Sequence, residues 1–354
     1  MTAPFSIAGR AIGPGEPVYV IAELSANHGQ DETRAARIVR LAHEAGADAV
    51  KLQTYTPDTI TIASDAPAFR AGSGSLWEGT TLHDLYQGAY MPWEWQPRLK
   101  ALADELGIHC FSSPFDPTAV DFLLEMEVPA VKIASFERVD LPLIRKAAAT
   151  GRPLIMSTGM ATEAEVDEAV EAARDAGATQ LALLKASSAY PAPPESMNLR
   201  AIPWMAERYG VPVGLSDHTL GPTAAVAAVS LGAAIVEKHM VESHADATAD
   251  EAFSLDSAEF AAMVEAIRFT ERALGRPVLE PTDEELESRR FRRSLFVVED
   301  VAAGEVFTER NVRSIRPAGG LHTRELGSVL GRRASRAIGR GTPLSRNLVE
   351  GTEP

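Results

Sequence analysis

The sequence predicts an α/β protein: a (β/α)8 TIM barrel followed by a small, mostly-β C-terminal domain. Three observations carry this reading. Short apolar runs alternate with amphipathic, alanine-rich stretches over the first 275 residues, eight runs in all. Each run ends in polar residues, as strands do when they open onto the functional face of a barrel. After Leu274 the texture changes, first to a polar, proline-containing stretch and then to short strand-like runs separated by turn signals.

The eight strand candidates are 18–26, 49–55, 109–115, 130–135, 153–158, 180–190, 211–218 and 234–240. Amphipathic stretches follow them, for example 32–45, 95–106, 163–176, 223–231 and 257–274. In the first of these Ala35, Ile38, Val39 and Ala42 recur at helical spacing. Strand-then-helix units in this number read as a closed parallel barrel, with a doubly wound open sheet as the competitor. The stretch 57–92, rich in Gly, Ser and Thr, is a long loop over the C-terminal face after the second strand. Its Gly-rich part, 72–79, reads as flexible chain rather than a phosphate cradle. The expected divisions are a catalytic barrel over 1–275, a linker over 276–289 and a separate domain over 290–354, with strand-like runs at 294–298 and 311–315. That last domain is dense in arginine, from Arg292 and Arg293 through Arg316 to Arg346. Either these arginines make a solvated or docking surface, or one of them reaches an anionic ligand.

The composition is that of an ordinary globular protein, 45% hydrophobic and 23% charged. A net charge of −15 argues against nucleic acid as a partner. No apolar run is long enough to span a bilayer, and the first ten residues show no basic-then-apolar segment, so no secretory signal is expected. A single cysteine, Cys110, rules out an internal disulfide and fits a reducing, cytoplasmic setting.

Side chains alternate along a strand, so the first strand aims Glu23, Ser25 and Asn27 to one face and the second aims Lys51, Gln53 and Tyr55. The remaining strands end in Ser112 and Ser113, Lys132 and Ser135, Ser157 and Thr158, Ser188 and Tyr190, Ser216 and His218, and Glu237 and His239. A packed barrel interior prefers branched apolar residues, and buried charges are costly unless they are paired or face a ligand. His218 and His239 end consecutive strands, and two neutral imidazoles suit a divalent transition metal. His28 is the weaker ligand candidate, and a structural hydrogen bond is its simpler role. Lys51 and Lys132 with several serine hydroxyls suit a phosphate. Ion pairs of the two lysines with Glu23 and Glu237 are the alternative use. No nucleotide-binding glycine motif is present. Glu23 and Glu237 are the acid–base candidates, and beside lysines and a metal both are expected to hold depressed pKa values. Asp217 and His218 are strand neighbours that point to opposite faces, so they form no serine triad.

These residues sit inside phrases that resemble the sialic acid synthase family, the phosphoenolpyruvate-dependent nonulosonic acid synthases. In order they are IAELSANH (21–28), KLQTYTPDTITI (51–62), YMPWEW (90–95), FSSPFD (111–116), VKIASFE (131–137), STGMAT (157–162), SSAYPAP (187–193), GLSDHTLG (214–221), EKHM (237–240) and AFSL (252–255). The stretch from Phe291 to Pro317 resembles the family's appended SAF domain, which is similar to type III antifreeze protein. SANH, TYTPDT, PWEW and SFE look most like the pseudaminic acid branch; the N-acetylneuraminate and legionaminate branches, or another amino sugar, are the alternatives.

The resemblance implies a transferase that joins phosphoenolpyruvate to an amino-sugar aldehyde, 2,4-diacetamido-2,4,6-trideoxy-L-altrose in the pseudaminic branch, with C–O cleavage. It implies Mn2+ at His218 and His239 as Lewis acid, with Mg2+ or Co2+ as alternatives. Glu23 matches the family's catalytic glutamate, which stabilises the cation or handles a proton, and Glu237 one assigned to water activation or sugar binding. Lys51, Ser113, Lys132, Ser135, Ser157, Ser188 and Ser216 match positions that hold phosphoenolpyruvate. Gln53, Tyr190 and Asp250 match sugar-binding positions. Arg316 matches an arginine that one subunit presents to the other in a domain-swapped homodimer. The chain departs from the family pattern near the sugar, at Ala186-Ser187 and in the approach to Asp250. A reading of another class is a binding protein, a dead barrel or an SAF domain acting on ice or polysaccharide. Such a protein would hold no metal at the two histidines.

Overall fold

A computed structural model of the chain describes residues 4–72, 77–245 and 248–351. It divides into two compact units, Met1–Gly275 and Arg276–Pro354. Positions 73–76 of the Gly-rich stretch, and Asp246 and Ala247 before Asp250, lie outside the described residues.

The first unit opens with a two-stranded antiparallel hairpin, β1 (Ser6–Ile7) and β2 (Arg10–Ala11). Eight parallel strands follow: β3 (Tyr19–Glu23), β4 (Ala49–Thr54), β5 (His109–Pro114), β6 (Val131–Ile133), β7 (Leu154–Ser157), β8 (Leu181–Ala186), β9 (Val213–Asp217) and β10 (Ile235–His239). They close in sequence order, β10 pairing with β3, into a barrel. The open doubly wound sheet is thereby excluded. The outer helices are α1 (Glu32–Glu44), α4 (Gln96–Leu106), α5 (Pro117–Glu125), α6 (Leu141–Ala149), α7 (Glu163–Asp175), α8 (Ala201–Tyr209), α9 (Thr223–Ser230) and α10 (Ser257–Leu274), with α2 (Pro57–Ile60) and α3 (Leu82–Ala89) in the connection after β4.

Local chemistry sets the helix starts. The Asp31 carboxylate accepts from the Thr33 and Arg34 N–H groups at the head of α1. Thr162 with Glu165, and Asp256 with Glu259, form reciprocal capping boxes on α7 and α10. The stretch after β4, read as a loop, contains two helices because Pro57 and Thr81 each open a turn over it.

Parallel barrel strands are buried on both faces, and β3, β9 and β10 are buried at every position. Tyr19, Ile21, Phe111, Leu183, Leu215 and Ile235 from five of the strands join one apolar cluster. Phe5, Ile7 and Ile12 of the hairpin belong to the same cluster. Arg10 adds an ion pair to Asp48 and a guanidinium 5.0 Å from the Tyr19 ring. The hairpin therefore covers the end where the strands begin. The opposite end, where they finish, carries the polar groups.

The second unit holds α11 (Asp283–Ser288), an antiparallel pair β11 (Ser294–Val297) and β12 (Val312–Ile315), and a short helix α12 (Leu326–Val329). Its own core joins Leu295, Val297, Phe307, Val312, Leu344 and Leu348. The stretch expected as a bare linker thus contains a capped helix, since Thr282 and Glu285 form a capping box. Arg316 is exposed just beyond β12. Among the described residues no helix is long and apolar enough to cross a membrane.

Candidate active site

A cavity of about 520 Å³ opens where the barrel strands end. Every barrel residue of the expected site lines it except Ser113 and Ser188. Strand register explains the convergence: Glu23 lies beside Lys51 on one side and His239 on the other, and Ser216 lies beside Glu237. Lys51 meets the Glu23 carboxylate at 2.5 Å and the Glu237 carboxylate at 3.8 Å. Lys132 lies 3.8 Å from Glu237 and donates to Ser157 at 2.7 Å. Ser113, fully buried, accepts from Lys51 at 3.3 Å. Ser216 donates to Glu237 at 2.8 Å. The ion pairs weighed against a ligand role do form, and they form on the cavity wall. Lysines held by carboxylates are poised for an anion but are not neutralised within an apolar core.

Ser135 accepts the Gly159 N–H at 3.2 Å. A Cβ at Gly159 would stand 2.7 Å from the Ser135 hydroxyl and 2.2 Å from that of Ser188. Glycine at this point lets two hydroxyls and a backbone approach one another, a cradle suited to phosphate oxygens.

The two carboxylates are pushed apart. Burial raises Glu23 to about 7 despite Lys51, and Glu237 adds to the rise. Burial also opposes ionisation of Glu237, but Lys132 and Lys51 together outweigh it and hold Glu237 below its ordinary value. The depressed value expected for Glu23 is thus corrected: enclosure on all sides exceeds the attraction of Lys51 and Lys132. Lys51 is held above its usual value by Glu23 and Glu237 against burial, whereas burial lowers Lys132 to about 8.

The alternation read for the first strand stops at Glu23. The next residues form a tight turn, Ser25–His28, with Ser25 at a left-handed φ of 42°. Its N–H donates to Glu23 at 3.1 Å, and its hydroxyl accepts from Gln53 at 2.9 Å. Gln53 also donates to Glu23 at 3.1 Å. Asn27 turns away from the cavity and donates to the Met240 carbonyl and Ser254. His28 is buried, and its Nδ1 accepts the Gln30 N–H, a structural role.

His218 and His239 do come together, with ring centroids 5.3 Å apart. Nδ1 of His218 donates to the Ser187 carbonyl at 2.8 Å, which leaves Nε2 with a free lone pair. Among the described residues Nδ1 of His239 is buried with no hydrogen-bond partner, 3.8 Å from Asp250. Burial lowers the pKa of both, so both rings are neutral near pH 7. Neutral, convergent imidazoles, one of which carries the orphaned nitrogen, fit a divalent cation. Behind them Lys238 and Asp217, both wholly buried, pair at 2.9 Å and tie the end of β10 to that of β9. Among the described residues one further group of three side chains, His244, Asp256 and Glu259, has cation-like spacing. His244 already bonds Glu259, and the Asp256 carboxylate accepts the Glu259 N–H at the head of α10.

Aromatic residues complete the mouth. Tyr190, which precedes a cis proline, lies 4.5 Å from the His218 ring and 5.1 Å from Phe253. Asp250 is buried at the rim, with its carboxylate 3.4 Å from the Ala26 N–H. Sequence reasoning missed Glu137. It lines the cavity, one of its carboxylate oxygens is buried with no hydrogen-bond partner among the described residues, and burial raises it to about 7. Its signal was its place two residues beyond Ser135 in the SFE phrase.

The sequence also matches known families. Residues 38–278 match the NeuB family, and residues 292–350 match the SAF domain. A pseudaminic acid synthase of Helicobacter pylori is 43% identical over 336 residues, covering 95% of this chain and 98% of that protein. One from Campylobacter jejuni is 43% identical over 330 residues, covering 93% and 96%. The crystal structure of N-acetylneuraminic acid synthetase from Leptospira borgpetersenii superposes with a TM-score of 0.72 at 29% identity, covering 81% of this chain and 95% of that one. The Bacillus subtilis spore coat polysaccharide biosynthesis protein SpsE gives 0.67 at 33% identity, covering 99% and 100%. The chain belongs to the NeuB family and carries a SAF domain after its barrel.

Proposed function

We propose that this protein is a pseudaminic acid synthase, condensing phosphoenolpyruvate with 2,4-diacetamido-2,4,6-trideoxy-L-altrose to give pseudaminic acid and phosphate. The observation that carries the reading is the meeting, in one cavity, of a two-lysine, multi-hydroxyl anion site with a pair of neutral histidines. The overall likeness to the pseudaminic acid synthases supports the choice of sugar.

In this reading Lys51, Lys132, Ser113, Ser135, Ser157, Ser188 and Ser216 bind the phosphate and carboxylate of phosphoenolpyruvate. Gln53, Tyr190 and Asp250 orient the open-chain sugar so that its aldehyde carbon faces C3 of phosphoenolpyruvate. The new C–C bond forms as the aldehyde C=O π bond opens, and the aldehyde oxygen takes up a proton to become a hydroxyl. Water adds at C2 and gives up its protons, one replacing that taken up by the aldehyde oxygen and one leaving on phosphate; the bond from C2 to the bridging oxygen breaks, phosphate leaves with that oxygen, and C2 becomes a keto carbon. Glu237, ionised between two lysines, is the fixed negative charge that steadies positive charge developing at C2. Glu23, balanced near neutrality, takes the proton that the attacking water must lose. Two carboxylates with separated pKa values divide these tasks. His218 and His239 hold the divalent ion, Mn2+ in this proposal, which when bound supplies a Lewis acid.

The reading also includes a cytoplasmic homodimer, in which the barrel is the catalytic domain and Arg316 of one chain serves the sugar site of the other. The test is phosphate release from phosphoenolpyruvate with Mn2+, comparing the trideoxy sugar with N-acetylmannosamine. Turnover of the trideoxy sugar is expected. Turnover of N-acetylmannosamine alone would move the protein to the neuraminate branch.

A further inference from the structure

The polar floor of the cavity comes from the barrel strands, but much of the facing wall comes from the connection after β4. Helix α3 has the sequence LHDLYQGA. Its apolar positions Leu82, Leu85, Tyr86 and Ala89 follow the i, i+3, i+4, i+7 pattern of one helix face, and all four line the cavity. None of them is fully buried, and none belongs to an apolar core cluster of the barrel. Ile60 at the end of α2 extends the same wall. Tyr55 connects it to the barrel, 5.7 Å from Tyr86 and 5.0 Å from Phe115. An amphipathic helix that turns its apolar face to a ligand cavity, not to a core, leaves that face wet until a ligand covers it.

The position of the wall selects what covers it. The barrel closes in sequence order, so its third strand lies across from its seventh. Phe115 follows the third strand and His218 the seventh. An aldehyde carbon held near the histidines therefore leaves the far end of an open-chain sugar to extend towards Phe115 and α3. The groups contributed by Ile60, Leu82 and Leu85 offer no hydrogen bond to a terminal hydroxyl, but they match a methyl group.

We infer that the α3 wall, with Leu82 and Leu85 at its centre, is the specificity device that receives the deoxy, methyl-bearing end of the sugar. The inference rests on the reading of the protein as a nonulosonic acid synthase for a 6-deoxy sugar. Its discrimination is between methyl and hydroxymethyl at C6, and it acts away from the reacting carbon.

The experiment compares kcat/KM for 2,4-diacetamido-2,4,6-trideoxy-L-altrose with that for the same sugar bearing a C6 hydroxyl, using the full chain with Mn2+ and phosphoenolpyruvate. The unmodified protein should prefer the methyl sugar by about 10- to 100-fold, the range an apolar pocket achieves against an added hydroxyl. Leu85→Asn should raise KM for the methyl sugar and bring the preference to within about threefold, with the loss falling on KM more than on kcat. Leu82→Asn should do the same, so that a folding defect in one variant leaves the other informative, and metal content reports the integrity of the barrel. Equal use of both sugars by the unmodified protein would overturn the inference and leave the reaction standing. So would a preference that survives both substitutions. Turnover of neither sugar, with N-acetylmannosamine used instead, would overturn the functional reading and this inference with it.

Discussion

Gly159→Ala isolates the phosphate cradle from everything else in the barrel. The backbone at Gly159 has no left-handed φ, so alanine brings no torsional strain. Its Cβ would instead stand 2.2 Å from the Ser188 hydroxyl and 2.7 Å from the Ser135 hydroxyl, well inside contact distance. These two nearest obstacles are hydroxyls that can rotate away, and the third, the Ser135 Cβ at 3.1 Å, needs to give by only about a few tenths of an ångström, so the fold should lose little stability. The hydroxyls, once rotated, no longer reach the site. A hydrogen bond to a charged group contributes about 1.5–3 kcal/mol, and each 1.4 kcal/mol is about a factor of ten. Loss of one such bond should raise KM for phosphoenolpyruvate by roughly 10- to 100-fold, and loss of both by more. Steady-state phosphate release at saturating sugar measures it, with a thermal melt as the control for folding. An unchanged KM for phosphoenolpyruvate in a folded Gly159→Ala protein would refute the holding of its phosphate by the Ser135 and Ser188 hydroxyls.

Other predictions test the remaining parts. Lys132 must be protonated to hold an anion, and burial lowers it to about 8, so kcat/KM for phosphoenolpyruvate should fall as pH rises through about 8. Lys132→Arg should move that limb out of the accessible range, and an unmoved limb would assign it to another group. His218→Ala should lose bound divalent metal and activity together, read by metal analysis of the purified protein; full activity without metal would remove His218 from the ligand set. Arg316→Ala should lower activity while the melting of the barrel is unchanged, and absence of any kinetic effect would end the cross-subunit proposal. Lys238→Met strands the wholly buried Asp217 carboxylate, so it should cost about 3–5 kcal/mol in denaturant unfolding, and Asp217→Leu added to it should recover much of the loss.

The barrel was legible in the sequence because parallel strands buried on both faces read as unbroken apolar runs, and because the two-residue period aims Glu23, Lys51 and Gln53 inward without knowledge of any contact. The convergence of His218 and His239 was legible for the same reason, as neighbours at the ends of consecutive strands. What lay beyond reach depends on depth and enclosure. The raised pKa of Glu23 follows from burial on all sides, which no local pattern encodes. Asn27 was misplaced because the chain turns at Ser25 through a left-handed φ that serine rarely adopts. The apolar stripe of α3 was present as Leu82, Leu85, Tyr86 and Ala89, but the surrounding Gly, Ser and Thr masked it as loop. The helix Asp283–Ser288 carries the Thr282–Glu285 capping signal, yet it has almost no apolar face to announce it.

The reaction proposed for this cavity joins phosphoenolpyruvate to an aldehyde by carbon–carbon bond formation, with water entering at C2 and phosphate leaving with the C2 oxygen. The most direct measurement uses phosphoenolpyruvate carrying heavy oxygen in its bridging position, with the trideoxy sugar and Mn2+, followed by mass analysis of both products. The expected result is a nonulosonic acid formed in equal amount to phosphate, with all of the label in the phosphate. Label retained in the sugar acid, or phosphate released with no new acid, would contradict it.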